Sequence, residues 1–226
     1  MQTKLGGVGG NYESVAVDDR NPLQPIFFVT EDHKQGALRR YTPPPPTEPG
    51  APADWDTLHV EGGNTDFLVF LDEKRFTWSC DEAIARYSQE MHYPNVEGID
   101  YENGKLYFVS KKTLKLYVLD LVSGTYETSA TDDYSLLSGE FKPEFRHSPD
   151  QLVRNEQNDN FLYFTEDGGR TPGVYAIDAE GRSFAIFEAY SDKYFGDETT
   201  GLAFSPDGTK SVYRSSCFIF MYLCSM

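Results

Sequence analysis

An internal repeat constrains this chain more than any other feature. Four segments share one grammar: an acidic residue, a short alternating apolar strand, a turn rich in Asp, Asn or Gly, and a second strand of aromatic and β-branched residues. The first runs Glu13-Ser-Val-Ala-Val-Asp18, turns through Asn21-Pro22 and continues as Ile26-Phe-Phe-Val-Thr30 before Glu31-Asp32. The second is Glu97-Gly-Ile-Asp-Tyr101, the turn Glu102-Asn103-Gly104, and Leu106-Tyr-Phe-Val-Ser110. The third is Asp150-Gln-Leu-Val, a polar turn over 155–160, and Phe161-Leu-Tyr-Phe-Thr165 followed by Glu166-Asp167. The fourth is Glu198-Thr-Thr-Gly-Leu-Ala-Phe204, the turn Ser205-Pro206-Asp207-Gly208, and Ser211-Val-Tyr213.

Each apolar run is short and bounded by turn chemistry, which is the strand and hairpin signal. Further strands follow at Leu114 to Leu121, closed by Ser123-Gly124, then at Gly173 to Ile177 and Phe184 to Ala189. Three or four short strands per repeat, at a period of about 50 residues between the later repeats, predict an all-β chain. The expected architecture is a β-propeller with about four blades, an incomplete ring over residues 1–214. Two interruptions are expected between the first two repeats. Pro43-Pro44-Pro45-Pro46, Pro49 and Pro52 make a proline-rich insertion over about 42–56, an extended surface loop covering a blade edge or a ligand for an SH3-like partner. Phe67 to Leu71 reads as a strand, and Ala83, Ile84 and Tyr87, after an acidic start, read as a short helix over Asp81 to Glu90. From Ser215 the run SSCFIFMYLCSM has lost the turn grammar, so residues 215–226 are expected to form an aberrant or disordered tail outside the fold.

Charge narrows the function classes. Twenty Lys and Arg stand against 36 Asp and Glu, a net charge of −16, and such a field repels phosphate backbones and anionic headgroups. The densest basic clusters, Lys111-Lys112 with Lys115 and Arg39-Arg40, sit among acids, so neither a nucleic-acid nor a membrane role is expected. The opening MQTKLGGVGG lacks the apolar run of a secretory signal, and Cys217 to Cys224 is too short to cross a bilayer. Cys80, Cys217 and Cys224 have neither the even count of a disulfide framework nor CxxC spacing. The histidines show no HxH or HExxH spacing, and the glycines of Gly6 to Gly10 precede a strand rather than follow one, so no dinucleotide loop is indicated.

The acids are the candidates for chemistry. In a propeller the innermost strand of every blade lines a central channel, so an acid opening each inner strand converges on one mouth. By that logic Glu13, Glu97, Asp150 and Glu198 form a metal site, because clustered carboxylates raise one another's pKa unless a cation relieves the repulsion. The bland alternative is that each acid only keeps a strand end solvated. Glu31-Asp32 and Glu166-Asp167 occupy one place in repeats one and three, where repeat two has Lys111-Lys112. The lysines then either hold an anionic substrate beside the cations or lie in solvated turns, and Arg39 is a further substrate-binding candidate.

The runs Tyr12 to Asp18, Phe28 to Asp32, Gly36 to Tyr41, Glu97-Gly-Ile-Asp100, Ser148-Pro-Asp-Gln-Leu152, Tyr163 to Gly169 and Glu198 to Gly208 (ETTGLAFSPDG) together resemble the PhoX-type alkaline phosphatases. The resemblance implies a propeller that hydrolyses phosphomonoesters with calcium and iron, the inner-strand acids Glu13, Glu97, Asp150 and Glu198 serving as ligands. It also implies a partial chain: the family's upstream cysteine ligand and later blades have no counterpart here, and the family is often exported or periplasmic. Two other readings stand beside it. Glu97-Gly-Ile is similar to the calcium-binding glutamate of gluconolactonase-type lactonases, and a non-catalytic propeller scaffold needs no turnover at all.

Overall fold

In the computed structural model the described residues are 3–6, 10–46, 48, 51, 55–59, 61–131, 148–155, 161–168, 173–179, 182–188, 199–215 and 218–223. They form an all-β chain of sixteen strands in four antiparallel sheets, with one α-helix and one short 3-10 helix at Trp55–His59. The strands of each sheet follow one another in chain order. The chain divides into two compact units, residues 1–113 with 117–128, and residues 114–116 with 129–226.

The first unit holds two sheets. One comprises β1 (Tyr12–Asp18), β2 (Ile26–Glu31), β3 (Arg39–Thr42), β4 (Asn64–Phe70) and β5 (Phe76–Ser79). The other comprises β6 (Val96–Glu102), β7 (Lys105–Ser110), β8 (Lys115–Asp120) and β9 (Thr125–Ala130). The β6–β7 hairpin turns at Asn103-Gly104, both with positive φ (49° and 84°), the conformation a tight hairpin demands and an Asn-Gly pair supplies at little cost. The first strands of the two sheets, β1 and β6, lie beside each other. Between the sheets Phe28, Leu38, Leu68, Phe70, Phe76, Ile99, Leu106, Phe108, Tyr117 and Leu119 form one core.

Asp18 closes β1. Arg20 donates to both of its carboxylate oxygens, Nε to Oδ1 at 2.9 Å and Nη2 to Oδ2 at 2.7 Å. Burial pushes the Asp18 carboxyl up, but hydrogen bonds from Arg20 and Tyr101 and the guanidinium charge outweigh it and hold the group below its ordinary value. That contribution to stability is present above about pH 4 and is lost as acid protonates the folded state.

The helix α1 (Glu82–His92) connects the two sheets. Asp81 caps it, its Oδ1 accepting from the amides of Ala83 (3.0 Å) and Ile84 (3.3 Å). Its buried face is small and polar: Ala85, Ser88 and Gln89. Gln89, completely buried, accepts from the Leu38 amide at 3.1 Å and donates to the His33 carbonyl at 2.8 Å, and Ser88 Oγ accepts from the Phe70 amide at 2.9 Å. The helix is therefore docked by hydrogen bonds to strand and loop backbone. Gln89→Leu strands the buried Leu38 N–H, so we expect a loss of about 1–2 kcal/mol in chemical denaturation.

The second unit also holds two sheets: β10 (Ser148–Arg154), β11 (Leu162–Asp167), β12 (Gly173–Ile177) and β13 (Ser183–Glu188), then β14 (Thr199–Phe204), β15 (Lys210–Ser215) and β16 (Phe218–Leu223). Tyr163, Val174, Ala176 and Leu202 form its core. The end of the chain corrects an expectation. Residues 218–223 form β16, which pairs with all six residues of β15, from Lys210 with Leu223 to Ser215 with Phe218. An unbroken apolar run, half of it aromatic, makes a strand even without the turn grammar of the earlier repeats.

Candidate functional site

The site is built on a defect that recurs in all four sheets. In β1, Tyr12 pairs with Glu31 and Val15 with Val29, so Glu13 and Ser14 together face the single residue Thr30. The same two-against-one step sets Glu97 and Gly98 of β6 against Val109, Asp150 and Gln151 of β10 against Thr165, and Gly201 and Leu202 of β14 against Tyr213. A β-bulge bends its strand and re-aims the side chain at the extra residue. In three sheets that residue is acidic. In the fourth it is Gly201, with φ at 65°, a left-handed conformation that favours glycine. Glu198, the ligand expected from this repeat, precedes the equivalent position by three residues and lies outside the described residues.

The bulge explains the repeated Thr-Glu-Asp. Thr30, fully buried, accepts from the Ser14 amide at 3.0 Å and donates to the Glu97 carbonyl at 2.6 Å. Thr165 plays the same part in the third sheet, accepting from the Gln151 amide at 3.0 Å. The hydroxyl satisfies the N–H that the bulge takes out of the ladder, and in the first unit it also fastens β2 to β6. We expect Thr30→Val, nearly isosteric, to cost about 1–2 kcal/mol in urea unfolding, with Thr30→Ser recovering most of it. A loss in Thr30→Ser with none in Thr30→Val would show that the methyl, not the hydroxyl, matters.

Two of the four expected metal ligands meet in the first unit. Glu13, Asp32 and Glu97 each place a carboxylate oxygen within 4.8 Å of the others. Glu97 is 2% exposed, Asp32 half-buried and Glu13 exposed. Asp32 takes part because its register position equals that of Lys111: each follows the residue that closes the bulge pairing, Glu31 in β2 and Ser110 in β7. Their backbones are held alike, the Asp32 amide donating to the Asn11 carbonyl at 2.7 Å and the Lys111 amide to that of Asn95 at 2.9 Å. Asn95 also donates its side-chain amide to Asp32 Oδ1 at 2.7 Å. Asp150, 7% exposed, occupies the equivalent bulge in the second unit.

The basic residues are placed differently from one another. Lys111 is an ion-pair partner of the acids, its Nζ 3.2 Å from Glu97 Oε1 and 3.7 Å from Asp32 Oδ2. Lys112 is exposed in the turn between β7 and β8. Arg39 is buried in β3, pairs with Glu82 at 3.2 Å, and sits over the rings of Tyr12 (5.4 Å) and Phe67 (5.2 Å). Among the other acids, Glu166 is buried and accepts from the Tyr175 hydroxyl at 3.2 Å. Cys80 is an exposed free thiol just before α1. No helix among the described residues is long and apolar enough to cross a membrane.

Chemically, Glu13, Asp32 and Glu97 offer an all-oxygen donor set, which suits a hard divalent cation such as calcium and leaves positions open for water or ligand oxygens. One ammonium offsets one of three carboxylates, so the cluster keeps an excess of negative charge.

No family model and no curated protein matches the chain. Among solved structures it is similar to the extracellular domain of BT4673 from B. thetaiotaomicron, determined under descriptions as a one component system and as a hybrid two component system. The respective TM-scores are 0.50 and 0.50, at 12% and 10% identity, over 98% of this chain in both cases. The chain spans 28% and 27% of the length of those structures. At this identity the likeness concerns the fold alone.

Proposed function

We propose that the four sheets are blades of an incomplete β-propeller and that the carboxylates at the bulges of β1 and β6, with Asp32, hold a calcium ion that serves phosphomonoester hydrolysis in a longer enzyme. One observation carries the reading: acids from equivalent bulges of two sheets, 84 positions apart in sequence (97 − 13), converge within 4.8 Å. Isolated acids at strand ends have no reason to do so at a cost in repulsion. A calcium ion held by Glu13, Asp32 and Glu97 would supply Lewis-acid polarisation of a phosphoryl oxygen. The chain's own contribution is positional. Thr30 fixes the Glu97 backbone, Asn95 orients Asp32, and the buried Glu97 supplies the least hydrated carboxylate. Lys111 then neutralises part of the charge and can turn its ammonium to a ligand phosphate. The set holds no nitrogen or sulfur donor, which favours calcium over iron at these three residues.

A second reading is a binding module without turnover. It is favoured by the Lys111 ammonium, which already stands 3.2 Å from Glu97 and compensates the cluster in part. One set of measurements separates the readings. Titration calorimetry with calcium should give one site per chain, with affinity at least tenfold weaker in Glu97→Gln, and a chromogenic phosphomonoester should be turned over by the wild type and not by that variant. Calcium binding without phosphatase or lactonase activity supports the module, and lactone turnover alone supports the lactonase chemistry. No calcium binding overturns the metal site.

A further inference from the structure

The helix α1 is turned inside out. Its buried face is Ala85, Ser88 and Gln89, whereas Ile84, Tyr87 and Met91 are 53%, 66% and 58% exposed. Spacings of three and four residues place these three on one stripe, the pattern of a helix–helix seam. The helix cannot roll inward to hide them, because Gln89 and Ser88 are tied to the backbone at Leu38, His33 and Phe70.

We propose that this stripe is a self-association surface on which α1 of a second copy packs antiparallel about a two-fold axis near Tyr87. Charge argues for this occupant. In a chain of net charge −16 most surface repels a second copy, but the acids bordering the stripe are compensated. Glu82 pairs with Arg86 at 2.7 Å and Arg39 at 3.2 Å, while Glu90 pairs with Lys34 at 2.5 Å and also accepts from Gln35. Antiparallel packing sets the acidic first turn, Asp81 and Glu82, beside His92 of the other copy and opposes the two helix dipoles. It also makes the stripe self-complementary, Tyr87 meeting Tyr87 and Ile84 meeting Met91, as an isologous interface requires. Three side chains a side fall short of the roughly 1,200 Å² that stable specific interfaces bury, so the pair is weak and concentration-dependent.

The test uses the full chain with Cys80, Cys217 and Cys224 replaced by serine. Sedimentation over about a hundredfold concentration range should show a reversible monomer–dimer equilibrium, abolished by the pair Ile84→Glu and Met91→Glu with the thermal transition unchanged. Tyr87→Cys should form a disulfide dimer on mild oxidation. Ile84→Cys alone should not, because the two thiols then sit about 10 Å apart along the axis, but it should cross-link to Met91→Cys in a mixture. A chain that stays monomeric throughout, a dimer that survives both glutamates, or efficient cross-linking of Ile84→Cys to itself each overturns the proposal. Capture of an unrelated protein by the stripe with no self-association does so as well.

Discussion

Glu97→Ala is expected to destabilise the first unit by about 2–3 kcal/mol in the absence of added metal and to abolish its stabilisation by calcium. Two opposing terms decide the first number. Removing one of three clustered carboxylates relieves repulsion, but it takes from the Lys111 ammonium, three-quarters buried, the nearer of two carboxylates, 3.2 Å against 3.7 Å for Asp32. Breaking a fully buried ion pair costs about 3–5 kcal/mol because the surviving charge stays desolvated. The partial exposure of Lys111 and the relief of repulsion bring that down. Adding Lys111→Met should restore at least half of the loss, and the double-mutant cycle reads the coupling directly. With calcium at about a hundred times its dissociation constant the wild type should gain about 2.7 kcal/mol and the variant nothing. A variant as stable as the wild type without metal would mean that repulsion outweighs the pair, and the lysine would then be a substrate ligand rather than a counter-ion.

The strands were legible because local chemistry decides them. Asn103-Gly104 demands a tight hairpin, and short apolar runs bounded by turns have no other stable use. Glu13 and Glu97 were legible as well, since each opens a strand at the same place in the repeat. Asp32 was not, because its partnership depends on which residue of β2 faces the bulge and on the neighbouring sheet, neither of which is written locally. Glu198 was expected by counting from the apparent start of the repeat, whereas the bulge puts Gly201 in register, and Glu198 itself lies outside the described residues. Arg39 shows a further limit. A basic residue near acids suggests an anion site, yet strand alternation carried this one onto two aromatic rings. In α1 the spacing of Ala83, Ile84 and Tyr87 correctly signals a helix, but spacing does not say which face is inside. Hydrogen bonds from Gln89 to distant backbone made that choice.

Phe70→Ala should be the most damaging single truncation in the first unit, costing about 3–5 kcal/mol. Phe70 ends β4 at the point where both sheets and α1 meet. Its ring stacks on Tyr126 at 4.0 Å and contacts Tyr93 at 4.7 Å, Tyr117 at 5.8 Å and His92 at 5.9 Å. Each of the three tyrosines is itself anchored by its hydroxyl to a backbone carbonyl: Tyr126 to Asp72 at 2.9 Å, Tyr93 to Leu68 at 2.6 Å and Tyr117 to His92 at 2.6 Å. Those bonds fix the rings, so the cluster cannot collapse into the space that the missing phenyl leaves, and unrelaxed cavities are the costly ones. Phe70→Leu, which keeps most of the volume, should cost about 1–1.5 kcal/mol. The readout is the unfolding midpoint together with near-ultraviolet circular dichroism, since the stacked pair is an asymmetric aromatic environment. A loss below about 1 kcal/mol for alanine would show that β4 and α1 can close over the gap. The tyrosine hydroxyl bonds would then be replaceable, and the join between the two sheets would rest on Phe28, Phe76 and the aliphatic part of the core instead.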